Sequence, residues 1–399
     1  MWELFGGEKG EKKVEYIELI YDLIFVYLIG RSNEILFHMQ GGFFTFQTYL
    51  TFLYSTLVIL QIWYFSSLYI NRYGSNSAVD YIGLFINMYL LYFLAEGIRV
   101  EDMSMYPQYN VAWALILLNI AAQYYRQLKF VGAATPWASR HLKYRGNLLL
   151  IQAGIILVSI PVYYLTGMAF SWVSMVFGFV AAVFASRVDS LMPVNSEHLT
   201  ERVMLFVVFT FGETIVSIGA YFAGAVNLST IYFSLMAFLI VAGMFLTYGL
   251  LYDKVIDRER EHLEMWYMMI HIGLIIALIN ITLALEYMRE PEVSAVAKNV
   301  FLTVSFLLFY LFMFLLGFYA KFGYQAGRKF FLTQCLMGLV FAALMAATYK
   351  NGYLSIAVTV LYVYGILIMV VRRYRKVNAC LEEYFAGTDQ EKETLSDGE

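Results

Sequence analysis

Charge is the scarcest thing in this sequence. Asp, Glu, Lys and Arg make up 14% of the 399 residues, against 61% hydrophobic residues and a mean hydropathy of +0.65. A water-soluble fold of this length cannot be covered by so few charges, so that class is excluded. Cysteine is nearly absent: Cys335 and Cys380 make neither a disulfide framework nor a metal motif, and both read as free thiols. There are five prolines, of which Pro161 alone falls within an apolar run, where a kink is expected. No Walker loop, dinucleotide fingerprint, His-Glu-x-x-His pair or nucleophile elbow occurs. An ATP-driven pump and the known hydrolases are therefore disfavoured, and no cofactor or metal is expected. The net charge of -3 gives no reason to expect a nucleic-acid partner.

What is present is apolar sequence in runs of about 20 residues, the length that crosses a bilayer, recurring about every 25 to 35 residues. The spacing predicts an all-α polytopic membrane bundle of about twelve crossings, with no soluble domain and the lipid bilayer as its surroundings. Lys and Arg set the orientation. Arg72, Arg126, Lys129, Arg140, Lys143, Arg145, Arg187, Arg202, Lys254, Lys321, Arg328 and Arg372 fall on one side, and Arg99, Arg289, Lys298 and Lys350 on the other. Both termini are accordingly expected in the cytoplasm, and the protein in the bacterial plasma membrane. No cleavable signal peptide is expected, because the first apolar run carries Glu18 and Asp22 and lacks a small-residue cleavage site.

The basic stretch from Arg126 to Arg145 reads as a surface loop at the lipid headgroups, and Asp253 to Glu264 as a solvated continuation of the eighth helix. A weak internal similarity divides the chain into two parallel six-helix halves, 1–195 and 196–376, followed by an acidic tail, 377–399, expected to be disordered.

The first crossing, from Glu15 to His38, carries within it Glu18, Asp22, Arg31 and Glu34, four charges that a lipid-facing helix would not keep. Glu18, Asp22 and Asn33 fall within about 60° of one another, with Arg31 and Glu34 nearly opposite. In the seventh crossing Arg202, Thr210, Glu213 and Ser217 form one stripe, with Glu213 about 16 Å along the axis from Arg202. If the first and seventh helices pack together, two ion pairs should form: Arg202 with Glu18 or Asp22, and Arg31 with Glu213. Arg31 with Glu34, at i and i+3, is the local alternative. Glu18, Asp22, Arg31, Glu34, Arg202 and Glu213 are therefore the candidate substrate or proton site. His271, Asn87 and Asn280 are secondary positions, more simply read as interhelical hydrogen bonds, and Gln123 and Gln152 as interhelical glue.

The stretch E-L-I-Y-D-L-I-F-V (Glu18 to Val26) resembles the E-L-F-F-D-L-V-F-V motif of the bacterial low temperature requirement A (LtrA) family. H-L-T-E-R-V-M-L-F-V-V-F-T-F-G-E-T-I-V (His198 to Val216) is similar to that family's H-x-x-E-R-F-x-L-F-V-I-I-x-L-G-E-S-I-V. The departures are Ile20 and Tyr21 for two Phe, Val203 and Met204 for an aromatic-led pair, and Thr214 for Ser. The resemblance adds His198, Glu201 and Gly212 to the positions chosen on cost, and it implies kinship and location rather than a reaction. Three functions are open: a secondary transporter of a small solute, proton-linked through Asp22, Glu18 or Glu213; a membrane enzyme acting on a lipid-linked substrate; or a non-catalytic component needed for growth in the cold.

Overall fold

The structure, a computed structural model, describes residues 13–37, 42–75, 77–97, 103–130, 135–222, 226–259 and 264–396. Those residues form twelve α-helices joined by short turns: α1 (Tyr16–Asn33), α2 (Phe46–Tyr73), α3 (Ala78–Glu96), α4 (Tyr106–Phe130), α5 (Pro136–Thr166), α6 (Trp172–Asp189), α7 (Ser196–Ile218), α8 (Leu228–Leu250), α9 (Glu264–Arg289), α10 (Ala295–Leu315), α11 (Arg328–Thr348) and α12 (Gly352–Ser396). Eight of them, α2, α3, α5 and α8 to α12, contain stretches long and apolar enough to cross a membrane, so the chain is a multi-pass helical membrane protein. In α1 and α7 the ionisable residues interrupt the apolar run; α1, at 18 residues, is about 27 Å long, close to a bilayer core.

Helix starts follow local chemistry. Thr45 caps α2 by accepting from the Thr48 amide at 3.1 Å, Ser77 and Asp80 form a capping box on α3, and Asn227 caps α8. Pro136 opens α5 in the first turn, where its missing N–H costs nothing. That corrects the expected headgroup loop. Arg126 and Lys129 belong to the end of α4, while Arg140, Lys143 and Arg145 lie in the first turns of α5.

The helices sort into two compact units, with boundaries inside α7 and α9. The first comprises 1–213 and 258–279. In it α1 packs on α2 and α3, α4 runs against α3, α5 and α2, and α6 packs on α5 and α2. The central helix is α2, buried along nearly its whole length from Val58 to Tyr73, which gives unit one a polar-capable interior of Gln61, Trp63, Ser66, Ser67, Asn71 and Arg72. Its outer faces show Ile82, Phe85, Tyr89, Ile151 and Val158, the apolar dress a bilayer requires. Gly178 on α6 makes a close approach: a Cβ there would fall 2.6 Å from Gln152 and 2.7 Å from Gln61, which are hydrogen bonded to each other as the glue expected of Gln152. Gln123 is buried. The chain continues as one helix through Pro161.

The second unit comprises 214–257 and 280–399. There α12 packs against α8 and α11, and α10 against α11. Phe341 stacks on Tyr362 at 4.2 Å, and Asn299 donates to Ser355 Oγ at 3.0 Å. The expected continuation of α8 is corrected: the helix ends in a π turn, Leu251–Val255, after which the backbone pairs with another segment, Asp257 N donating to Tyr319 O and Lys321 N to Val255 O, both at 2.8 Å. Of the remainder of that expected extension, 260–263 lies outside the described residues. The polar tail is helical to Ser396, unlike the disorder its charge suggested; Ala, Leu, Glu, Gln and Lys are good helix formers, and α12 supplies the nucleus for them.

Candidate functional site

Glu18 and Asp22 are four residues apart on α1, and His198 and Arg202 four apart on α7, so each pair lies on one face of its helix. The two faces meet. The Arg202 guanidinium grips Asp22 in a fork, Nη2 donating to Oδ1 at 2.8 Å and Nε to Oδ2 at 3.1 Å, while Nη1 donates to Glu18 Oε2 at 2.9 Å. All four side chains are at most 1% exposed. Trp63 of α2 donates from Nε1 to Asp22 Oδ1 at 2.9 Å, and its ring packs on Phe206 at 4.4 Å.

The tautomer of His198 follows from its neighbour. Asn71 accepts from the Asn195 amide at 2.9 Å through Oδ1 and donates to the Asn195 carbonyl at 3.0 Å through Nδ2. With the amide so oriented, Nδ2 also faces His198 Nδ1 at 3.0 Å, which must accept. A neutral His198 therefore carries its proton on Nε2 and donates to Glu18 Oε1 at 3.2 Å. Glu18 also lines a narrow cleft of about 10 Å³, room for one water, with Asp80, Tyr69, Tyr81 and Gln123.

The other level of the same helices is different. Arg31 pairs with Glu34 one turn on, at 2.5 Å, and lies 3.7 Å from Glu96 of α3. The expected pair with Glu213 does not form: an i, i+3 partner on its own helix needs no second helix in register. Glu213 is half-buried, its carboxyl lying on the bare backbone of Gly30, and no hydrogen-bond or ion-pair partner meets it among the described residues. Glu201 is half-buried on α7.

The secondary positions are buried. Asn87 donates to Tyr21 Oη at 3.3 Å and accepts from Asn119 at 2.8 Å, an interhelical bond as its setting suggested. His271 Nδ1 donates to the Tyr267 carbonyl at 2.9 Å, within its own helix. Asn280 is buried in the second unit.

A second buried cluster escaped the sequence reading. Asp189, at the end of α6, accepts from Arg145 Nε at 2.9 Å and from Nη2, and from His141 Nε2 at 3.2 Å. Tyr73 Oη then donates to His141 Nδ1 at 2.8 Å. Arg72 Nη2 stands 3.8 Å from Asp189, and its Nε donates to the Met192 carbonyl at 2.6 Å. Burial alone would push the Asp189 carboxyl up; Arg145, the His141 hydrogen bond and Arg72 overcome that and hold it at about 2. The signal was in the sequence: H-L-K-Y-R (His141 to Arg145) and H-L-T-E-R (His198 to Arg202) share one spacing, and each sets a His and an Arg on one helix face against carboxylates from another helix. Asn71 and Arg72, adjacent on α2, serve one cluster each.

Residues 13–371 match the family model for the bacterial low temperature requirement A protein. The chain belongs to the LtrA family. No curated protein and no solved structure matches it. The two motifs that carry the likeness, at Glu18 to Val26 and His198 to Val216, are therefore the two helices joined by the Arg202 clamp. This LtrA-family chain holds Glu18, Asp22, His198 and Arg202 in one hydrogen-bonded group, and leaves the fifth charged motif position on that face, Glu213, outside it.

Proposed function

We propose that the chain is a proton-coupled secondary transporter of a small solute in the bacterial plasma membrane, working between α1 and α7. The observation that carries this reading is that these helices hold ionisable side chains at two levels, one saturated by ion pairs and one with an acid left unpaired; intramembrane ionisable groups of the second kind mark ion and substrate pathways. In this reading the chain crosses about twelve times, in two six-helix halves with both termini inside. The saturated level is the hinge or clamp, and the solute and proton are handled beside it.

The test is reconstitution in liposomes enclosing a pH-sensitive dye. A solute from a broad panel should drive a luminal pH change in wild type, and Glu213→Gln should abolish it. Absence of any solute-driven proton movement, together with Asp22→Asn and Glu213→Gln both supporting growth in the cold, overturns the proposal. A specific observation favours a second reading, a non-catalytic clamp: every guanidinium nitrogen of Arg202 is spent on a carboxylate. Restoration of growth by the paired swap Asp22→Arg with Arg202→Asp would select it. Orientation is read separately from Cys380, an exposed thiol near the C-terminal end, which an impermeant maleimide should label only from the cytoplasmic side.

A further inference from the structure

Glu213 lies 11 residues beyond Arg202 on α7, and among the described residues no ion-pair partner meets it. Its seat is Gly30 of α1, where a Cβ would stand 2.8 Å from Oε1 and 3.4 Å from the carboxyl carbon; only a glycine lets the carboxyl rest against the helix. Beside it, a Cβ on Gly212 would meet nothing within 4 Å, so the helix face next to the acid is open. Arg31, next to the seat in sequence on α1, is paired through its terminal nitrogens with Glu34 and with Glu96 of α3. One turn away on α7, Thr210 donates to the Phe206 carbonyl at 2.9 Å and Ser217 to the Thr214 carbonyl at 2.8 Å.

We propose that Glu213, seated on Gly30, is an exchangeable proton-binding site of this protein. An isolated carboxylate in apolar surroundings takes up a cation to lose its charge. A metal ion would need several oxygens converging on one point, and the Thr210 and Ser217 hydroxyls on α7 serve helix carbonyls, whereas a proton needs the carboxyl alone. The open face beside Gly212 is the route by which the proton on Glu213 leaves and returns. This deepens the transport reading and rests on it for its use in a cycle; the site itself is tested without flux.

The experiment uses the full chain in lipid nanodiscs and dicyclohexylcarbodiimide, which adds across the O–H of a protonated carboxyl in an apolar setting, so that the product carries the whole reagent. Peptide mass mapping should place the adduct on Glu213, with yield falling about tenfold between about pH 5.5 and about pH 8.5. It should vanish in Glu213→Gln, persist in Glu213→Asp and in Arg31→Gln, and fall about threefold or more in Gly30→Ala, whose methyl displaces the carboxyl. No adduct on Glu213 at the acid end in folded protein, or equal yield across the range, overturns the proton site; an unchanged yield in Gly30→Ala overturns the seat. An adduct without solute-driven proton movement leaves the site standing and sinks the transport reading, and movement without an adduct does the reverse.

Discussion

Helices α1 and α7 bury acids at two heights, and the two heights are built differently. At one, Glu18 and Asp22 share Arg202, with Trp63 and His198 filling further lone pairs. At the other, Glu213 lies on Gly30 with no ion-pair partner among the described residues, and Arg31, beside that glycine in sequence, pairs with Glu34 and Glu96. The lesson is that opposite charges on facing helices do not pair merely because they share a depth. A fork such as Arg202 to Asp22 needs both side chains buried and aimed; Arg31 is 36% exposed and finds a partner on its own helix first.

The sharpest way to break the contrast is at Arg202. Arg202→Met would leave two carboxylates buried with no cation from α7, a loss of about 3 to 5 kcal/mol. We expect a collapse in the folded fraction, measured by size exclusion and thermal unfolding in detergent. Adding Glu18→Gln and Asp22→Asn should recover much of it, since the triple variant no longer buries those three charges. Glu213→Gln, by contrast, should leave the unfolding temperature of the wild type in place. If the two single variants behave alike, the Arg202 level is no clamp.

Asp189 tests whether saturation elsewhere in the first unit behaves as the Arg202 level does. Its folded carboxyl is held at about 2 against an ordinary 3.8, so its contribution is complete above about pH 4 and is lost as pH falls through about 2. The pH-dependent part is about 2 kcal/mol by the usual conversion. Acid unfolding of wild type should steepen in that window, and Asp189→Asn should remove the steepening at a cost in stability at neutral pH, because Arg145 then lies buried beside a neutral amide. A pH profile identical in the two proteins would show that Arg145 and Arg72 do not act on this carboxyl.

A smaller effect is expected at Trp63. Replacing it with Phe keeps the ring contact with Phe206 and removes one hydrogen bond to the Asp22 carboxylate, about 1.5 kcal/mol for a bond to a charged acceptor. Thermal unfolding measures it, and a null result would mean that the Arg202 fork alone satisfies Asp22.

Much of this was readable from the residues, for a reason that also marks its limit. The cost of Glu18, Asp22 and Arg202 in an apolar chain demands partners, and i, i+4 spacing says which face they share, so the Arg202 clamp could be derived. Trp63 and Asn71 could not: an aromatic or amide in a membrane helix has many neutral uses, and which one applies depends on packing. The Asp189 cluster is not legible in the sequence read this way, because the basic residues from Arg126 to Arg145 read together as a surface loop. Pro136 begins a helix, and once α5 starts there, His141 and Arg145 turn inward while Arg140 and Lys143 stay exposed. The eight long apolar helices were legible from hydropathy, whereas α1 and α7 are weaker by the same measure because their charged residues build the clamp.

The smallest expected effect bears most directly on the contrast of levels. Arg31→Gln removes an ion pair whose partners are 36% and 57% exposed, which should cost less than about 1 kcal/mol. A double-mutant cycle of Arg31→Gln with Glu213→Gln asks whether the two sense each other. Because the guanidinium contacts Glu34 and Glu96 and the Glu213 carboxyl contacts the Gly30 backbone, their changes in unfolding free energy should add within about 0.3 to 0.5 kcal/mol. The cycle of Arg31→Gln with Glu34→Gln should instead show coupling, reduced in high salt as befits an exposed pair. Coupling of more than about 1 kcal/mol between Arg31 and Glu213 would place a second clamp between α1 and α7 and remove the unpaired acid from which the proton site is argued.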